Sequence, residues 1–297
     1  MNKLKIVFLG TGNAIPTKKR NHTAILLSYK NENILIDCGE GTQKQFKIAK
    51  ISPNKLTKLL ITHWHGDHVL GIPGLLQTLA MNNYTKTLEV FGPKGTTHSL
   101  SLMQQLFKLK INLKIKEVEG KFLKIEDLEI ESEKMDHDIP SLAYSFEVKD
   151  QIRLNKKSLK KLKLPNSPLL GELKKGKDIV FESKKIKASS VTYKEKGKKI
   201  SIILDTAPNS NAIKLAKNSD IVICESTYSK EDKAQALEHK HMTAEDAGLL
   251  AKKAKIKSLI LTHISERYQH NESKILNEAK KLFKNTKLAN DFDSLEI

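Results

Sequence analysis

The most informative stretch of the sequence places three histidines and one aspartate within six residues. They form the run His63-Trp64-His65-Gly66-Asp67-His68, directly after the apolar residues 59–61. Neutral imidazoles and a carboxylate suit Zn²⁺, and their spacing lets one loop supply two adjacent ions. The alternative is a polar loop in which histidines cluster by chance, but imidazoles that share protons without a cation are costly to bury. The run therefore predicts a metal site.

The composition is that of a globular protein. The chain has 297 residues, of which 39% are hydrophobic and 29% charged, enough for one large or two modest domains with a sizeable core. No run approaches the ~20 apolar residues that span a bilayer. Cys38 and Cys224 form no CxxC pair, and the first residues enter a strand pattern without a signal-peptide cleavage region. We therefore expect a cytoplasmic protein with no membrane segment.

The positive charge of the chain is unevenly distributed. The formal net charge is +18, and residues 151–199 hold sixteen Lys or Arg against four acids, a net +12. One interpretation is a lysine-rich composition with a solvated surface, and the other is an element that binds a polyanion. Residues 164–176 contain two prolines and two glycines, which predicts an irregular arm inserted within one domain.

Apolar strand runs alternate with helical patterns along the chain, which favours an α/β sandwich over an all-β barrel. The predicted strands are 6–9, 24–28, 34–36, 59–62, 88–91, 143–148, 200–204, 221–224 and 259–262. The predicted helices are 69–81, 96–108, 211–217, 243–254 and 272–283.

Five of the predicted strands run directly into an acid or a histidine. These residues are Asp37, His63, Asp205, Glu225 and His263. In α/β folds the carboxyl ends of the strands carry the chemistry, so we expect the five side chains to meet at one rim of the sheets.

The motif His63-x-His65-x-Asp67-His68 resembles the metallo-β-lactamase superfamily. Further motifs narrow the resemblance to the ribonuclease Z family, zinc-dependent tRNA 3′-processing endonucleases, in its short form. They are residues 36–43 (IDCGEGTQ), His137 ahead of 140–144 (PSLAY), 204–206 (LDT), 225–228 (ESTY), 241–244 (HMTA) and 261–268 (LTHISERY). These motifs follow the family order over essentially the whole chain. The resemblance implies a four-layer αβ/βα sandwich, one domain over 1–297, with a protruding basic exosite arm at about 151–195.

The resemblance also implies a dinuclear centre with two Zn²⁺ ions per subunit, or Mn²⁺ in their place. His63, His65 and His137 would hold the first ion, Asp67, His68 and His263 the second, and Asp205 would bridge them. Asp37 would fix a ligand imidazole by accepting its hydrogen bond. By itself His137, between two acids, is equally compatible with a surface histidine, and only the family order makes it a ligand.

The implied reaction is phosphodiester hydrolysis that removes the 3′ trailer of precursor tRNA and leaves a 3′-hydroxyl. In the family's usual mechanism Asp67 also accepts the proton of the attacking water. Glu225 would orient His241, which would protonate the leaving 3′-oxygen. Apart from the resemblance, Glu225 is compatible with a surface acid at a strand end, and His241 with a loop histidine.

The basic arm resembles the family's exosite, and Lys163, Lys174, Lys175 and Lys177 are its candidate phosphate contacts. Family members of this length are homodimers in which the arm of one subunit serves the site of the other. Two alternatives stay open: a small-molecule zinc phosphodiesterase or thioester hydrolase of the same fold, and an RNA-binding relative without turnover. The arm and the Glu225–His241 pair argue against the first, and the intact ligand set argues against the second.

Overall fold

Two seven-stranded sheets form the framework of the computed structural model, which describes residues 3–297. Residues 1 and 2 of the predicted domain range lie outside it. The strands of the chain are β1 (Lys5–Gly10), β2 (Ala24–Tyr29), β3 (Glu32–Ile36), β4 (Lys58–Leu60), β5 (Leu88–Gly92), β6 (Leu113–Glu117), β7 (Gly120–Ile125), β8 (Leu128–Met135), β9 (Ser141–Val148), β10 (Gln151–Leu154), β11 (Ile179–Phe181), β12 (Lys184–Ile186), β13 (Thr192–Glu195), β14 (Lys198–Ile203), β15 (Ile221–Glu225), β16 (Ser258–Thr262), β17 (Thr286–Leu288) and β18 (Ser294–Glu296).

Helices connect these strands. They are α1 (Thr42–Ile48), α2 (Gly66–Val69), α3 (Ile72–Met81), α4 (Thr96–Phe107), α5 (Lys156–Lys161), α6 (Leu169–Lys174), α7 (Ala188–Val191), α8 (Ser210–Ala216), α9 (Lys233–Glu238), α10 (Ala244–Lys253) and α11 (Glu272–Leu282). Among residues 3–297, no helix has the length and apolar character that crossing a bilayer requires.

The first sheet has the order β18-β1-β2-β3-β4-β5-β6. Its strands β3 to β6 are parallel, and β18, β1, β2 and β3 pair antiparallel. Successive residues of β1 are buried on both faces, because Val7 and Leu9 pack with the helices while Ile6 and Phe8 point to the other side. A sheet that is apolar on both faces needs a covering layer on each.

The second sheet has the order β17-β16-β15-β14-β9-β8-β7 and supplies one of those layers. The hydroxyl of Tyr144 in β9 donates to the carbonyl of Ile61, 2.6 Å away, and the ring of Phe122 in β7 lies 5.2 Å from that of Phe91 in β5. Helices α8, α10 and α11 pack on the other face of β15 and β16 in a second apolar cluster. The predicted α/β sandwich is thus built from two sheets that face each other and carry helices outside.

The predicted elements agree with the structure to within two residues at each end, with one exception. The predicted helix 69–81 is broken into α2 and α3, because Gly71 approaches the backbone that follows β3. Its N–H donates to Cys38 O at 2.9 Å, and a Cβ there would lie 2.1 Å from Gly39 O. Only glycine fits this approach, which brings the loop after β4 against the end of β3.

Residues 124–129 and 147–198 form a separate compact unit, and residues 3–123, 130–146 and 199–297 form the main one. The smaller unit contains the antiparallel strand pairs β10–β13 and β11–β12 and a core that includes Leu173, Ile179 and Val191. The expectation of no regular element in 164–176 is wrong, because α6 lies there. Pro168 is its N-cap, where no N–H is needed, and Gly176 follows its end at φ 81°.

Candidate metal centre

One group of metal-type ligands brings together His63 and His65 with two residues that are distant in the chain, His137 and Asp205. The Nδ1 atom of His65 lies 3.1 Å from Nε2 of His63 and 3.1 Å from Nε2 of His137. The Oδ2 atom of Asp205 lies 3.5 Å from Nε2 of His63. The four ligand atoms lie within 4.8 Å of one another, close enough to bind a single ion.

A second group of ligands shares Asp205 with the first. The Nε2 atom of His68 lies 3.3 Å from Oδ2 of Asp67 and 3.3 Å from Nε2 of His263. Asp205 approaches His263 through Oδ1, at 3.2 Å, and His68 through Oδ2, at 3.4 Å. The fold therefore brings together all seven predicted ligands, with one carboxylate between the two groups.

Three residues at the ends of strands adopt the left-handed backbone conformation. Asp37 has φ 56°, Asp205 has φ 22° and His263 has φ 58°. This conformation turns the chain sharply, so that the side chain after the strand points back to the rim. It costs about 1–3 kcal/mol for a residue other than glycine and is concentrated at functional sites.

The imidazoles are held in fixed orientations by groups behind them. Asp37 accepts from Nδ1 of His68 at 2.6 Å, and it also accepts from the Thr62 hydroxyl at 2.6 Å. Since that hydroxyl donates to Asp37, its oxygen accepts from Nδ1 of His63, 3.0 Å away. Nδ1 of His137 donates to the carbonyl of Lys240 at 3.2 Å. Each contact leaves the Nε2 atom free to bind a cation.

Thr227 connects the second ligand group to Glu225. Its hydroxyl donates to Oε2 of Glu225 at 2.6 Å and accepts from Nδ1 of His263 at 2.8 Å. Neither this threonine nor Thr62 was predicted from the sequence. The available signal was their position, one or two residues from a predicted site residue.

The buried Glu225 and the partly buried His241 form a pair beside the ligands. The Nδ1 atom of His241 lies 3.0 Å from Oε1 of Glu225, which also accepts the N–H of Thr206 at 2.7 Å. Burial lowers the pKa of His241, but the carboxylates of Glu225 and Asp205 outweigh it and raise that pKa to about 9. The pair therefore favours the protonated imidazole, which is the form that can donate a proton.

The pKa values of two neighbouring imidazoles are shifted in opposite directions. Burial, reinforced by the charge of His68, holds the pKa of His63 well below its ordinary value. Burial by itself would lower the pKa of His68 as well. The carboxylates of Asp205 and Asp67 outweigh burial and raise this pKa well above its ordinary value. Burial raises the pKa of Asp67, but His68 and His263 have the larger combined effect, so the pKa of this carboxyl lies below its ordinary value. The carboxylates around His68 therefore favour a positive charge beside them, and a bound metal cation would supply one.

A cavity of about 710 Å³ opens onto these residues. Its walls include His65, Asp67, Asp205 and His241, so both ligand groups and the imidazole of His241 face one space. Residues that the sequence did not predict also line it, among them Asn13, Pro16, Tyr228 and His239.

The four predicted RNA-binding lysines all belong to the smaller unit. Lys163 follows α5, and Lys174 is in α6. Lys175 and Lys177 both pair with Glu172, at 2.9 Å and 3.0 Å.

Known proteins resemble this chain along its whole length. A family model described as Anti-Pycsar protein Apyc1 matches residues 4–158. Ribonuclease Z of Nanoarchaeum equitans is 38% identical over 266 residues, which are 89% of this chain and 84% of that protein. Ribonuclease Z of Enterococcus faecalis is 36% identical over 305 residues, which are 99% and 97% of the two chains. These relatives extend past residue 158, over Asp205, Glu225, His241 and His263.

Solved structures resemble its fold. Human tRNase Z, short form, superposes with a TM-score of 0.70 at 25% identity and covers 98% of both chains. A metallo-β-lactamase fold protein of Bacillus subtilis superposes with a TM-score of 0.73 at 17% identity and covers 100% of both. The predicted metallo-β-lactamase fold is thereby confirmed, while the basic exosite arm stays a prediction.

Proposed function

The chain belongs to the ribonuclease Z family, and from this membership we propose how its residues cut RNA. Over residues 4–158 the chain also belongs to the family described as Anti-Pycsar protein Apyc1. It is a hydrolase that binds metal and processes the 3′ end of tRNA. In our proposal two Zn²⁺ ions occupy the ligand groups, and the products are a 3′ trailer and a tRNA with a 3′-hydroxyl. The observation that carries the proposal is the imidazole of His241, which lies 3.0 Å from Glu225 and faces the same open cavity as both ligand groups.

Two features of the site support cations at this position. The donors are imidazole nitrogens and carboxylate oxygens, which suit Zn²⁺ and leave Mn²⁺ acceptable. The Oδ1 atom of Asp205 is buried and accepts no hydrogen bond from any described residue. A buried carboxylate oxygen of this kind is costly unless a cation binds it. His63, His65 and His137 would hold one ion, Asp67, His68 and His263 the other, and Asp205 both.

The ions, when bound, supply an activated water and positive charge against the negative charge that develops on the phosphate. Asp67, whose Oδ2 atom lies 3.3 Å from Nε2 of His68 and 3.3 Å from Nε2 of His263, would accept the proton of the attacking water. His241 donates a proton to the leaving 3′-oxygen, and Glu225 holds its ring in place from behind. Asp37 fixes His68 in the tautomer that presents Nε2.

The substrate is precursor tRNA. We assign the binding of the part of the tRNA that lies away from the metal ligands to the exosite arm at about 151–195. Helix α5 supports this, since it carries Lys156, Lys157, Lys160 and Lys161 within two turns. None of these has an acidic partner among residues 3–297, and like charges three and four positions apart repel. An RNA phosphate backbone would relieve that repulsion.

The protein would act as a cytoplasmic homodimer in which each arm serves the partner's site. Exposed apolar side chains support self-association, since Met81 is 78% exposed, Leu106 75% and Phe107 51%. Both cysteines are free, as in a reducing compartment. Light scattering would measure the mass, and Leu106→Lys with Phe107→Glu would yield monomers if α4 lies at the interface.

A cleavage assay tests the proposed function. Zinc- or manganese-loaded protein is incubated with precursor tRNA that carries a 3′ trailer, and the cut is mapped. We expect a single cut that leaves a 3′-hydroxyl on the tRNA. Failure to cut with either metal, together with fast hydrolysis of bis(p-nitrophenyl) phosphate, would overturn the assignment of substrate.

A further inference from the structure

Tyr228 and His239 form an aromatic pair that the proposed chemistry does not use. Their ring planes differ by 13° and their centroids lie 6.5 Å apart, within the range of offset stacking. Both residues line the cavity of the metal centre. Tyr228 is mostly buried, whereas His239 is exposed. His239 therefore presents its ring to whatever enters the cavity, with the Tyr228 ring stacked behind it.

The backbone on both sides of this pair is fixed. The carbonyl of Tyr228 accepts the N–H of Ala244 at 2.9 Å, and the guanidinium of Arg267 lies 5.1 Å from the centre of the Tyr228 ring. The N–H of His239 donates to the carbonyl of Gln235 at 3.0 Å, at the end of α9. A stacking surface held in this way loses little conformational entropy when a ligand binds.

The pair lies next to the group that protonates the leaving oxygen. The ring of His241 is 6.0 Å from the ring of Tyr228, and His239 is two residues before it in the chain. A 3′-oxygen that takes its proton from His241 belongs to the ribose of the last tRNA nucleotide. The base on that same ribose is then the part of the RNA that can reach the aromatic pair.

We propose that the base of the nucleotide that becomes the 3′ end stacks on the Tyr228–His239 pair. This inference rests on the proposed function, since it takes His241 as the proton donor. Stacking uses the face of a base and makes no hydrogen bonds to its edge, so it positions the ribose without demanding one base. The pair acts as a positioning surface for the scissile phosphate.

The test combines a protein variant with an altered substrate. Zinc-loaded full-length protein is assayed for kcat/KM on precursor tRNA and on the same RNA with an abasic ribose 5′ to the cut. On the normal substrate we expect His239→Ala to lose on the order of 10-fold and His239→Phe to keep activity within about threefold. On the abasic substrate the wild type should lose a similar factor, and His239→Ala should lose nothing more. The exposed His270→Ala is the matched control.

Each other result counts against the inference. An equal penalty for His239→Ala on both substrates would mean that the side chain acts without the base, and no penalty on either would mean that it does not contact the RNA. A phenylalanine variant as weak as the alanine variant would also overturn stacking. If the wild type itself fails to cut precursor tRNA, the proposed function and this inference fall together; if it cuts and the variants behave alike, only this inference does.

Discussion

The Nδ1 atom of His241 lies 3.0 Å from Oε1 of Glu225, and Glu225 is completely buried. A buried carboxylate that faces an imidazole keeps that imidazole protonated, and this pair lies directly beside the two ligand groups. In our proposal the site separates two tasks: the ligand groups would serve the attacking water, and the Glu225–His241 pair would serve the leaving oxygen.

Removing His241 should affect substrates according to their leaving groups. We expect His241→Ala to slow cleavage of precursor tRNA by ~10²–10⁴-fold, because a ribose 3′-oxygen needs a proton. Hydrolysis of bis(p-nitrophenyl) phosphate should fall by less than about tenfold, since p-nitrophenolate leaves without one. Turnover of both substrates is measured, with His270→Ala as the control. Equal losses on the two substrates would contradict the role of His241.

The pH profile of kcat/KM should depend on Glu225. A proton donor works below its pKa, so the wild-type rate should decline on the alkaline side as pH passes about 9. In Glu225→Gln the charge that raises this pKa is gone, and the decline should move to lower pH. The profile on precursor tRNA between about pH 6 and 10 shows the shift. A decline that stays in place in the variant would rule out the pair as the source.

Metal content should distinguish a shared ligand from an unshared one. Asp205 contributes to both groups and His137 to only one. We therefore expect Asp205→Asn to lose both ions and His137→Asn to lose one, as measured by elemental analysis after dialysis. The thermal midpoint should follow the same order, because bound ions stabilise only the folded state. Identical metal loss in the two variants would refute the bridging role.

Thr227 should matter to stability and to metal binding, and its neighbour should not. Thr227→Val removes one buried hydrogen bond from Glu225 and one from His263, which costs about 1–3 kcal/mol of unfolding free energy. Metal affinity should fall by ~10–100-fold. Ser226→Ala is the matched control, because its buried hydroxyl has no hydrogen-bond partner among the described residues. Urea unfolding and metal titration measure both effects, and equal behaviour of the two variants would contradict the prediction.

The salt dependence of tRNA binding should identify which lysines contact phosphate. Replacing the four lysines of α5 by serine should reduce the slope of log K against log salt by about 0.7–0.9 per lost contact. Replacing Lys175 and Lys177 should reduce it less, since Glu172 already pairs with both. Hydrolysis of the small diester should be unchanged in both variants. A larger effect from Lys175 and Lys177 would assign the contacts to the turn after α6 instead.

The sequence predicted those parts of the site whose signal is local. His63 to His68 are adjacent, and the apolar run before them identifies a strand that ends at the ligands. Residues such as Thr62 and Thr227 could not be predicted, because their role depends on which side chain lies opposite. The helix α6 was missed for a related reason: Pro168 and Gly171 oppose a helix in general, but the first is harmless at an N-cap.

By itself the sequence determined the kind of chemistry, since residue types and short spacings fix which cations a loop can bind. It also determined the alternation of strands and helices, because hydrophobic periodicity is read over a few residues. The resemblance named His137, Asp205 and His263 as partners of that loop, and the tertiary structure supplied the distances of 3.1 to 3.5 Å that bring these residues, far apart in the chain, against it. The physical reason is the packing of two sheets whose strand ends meet at one rim, which no local pattern contains.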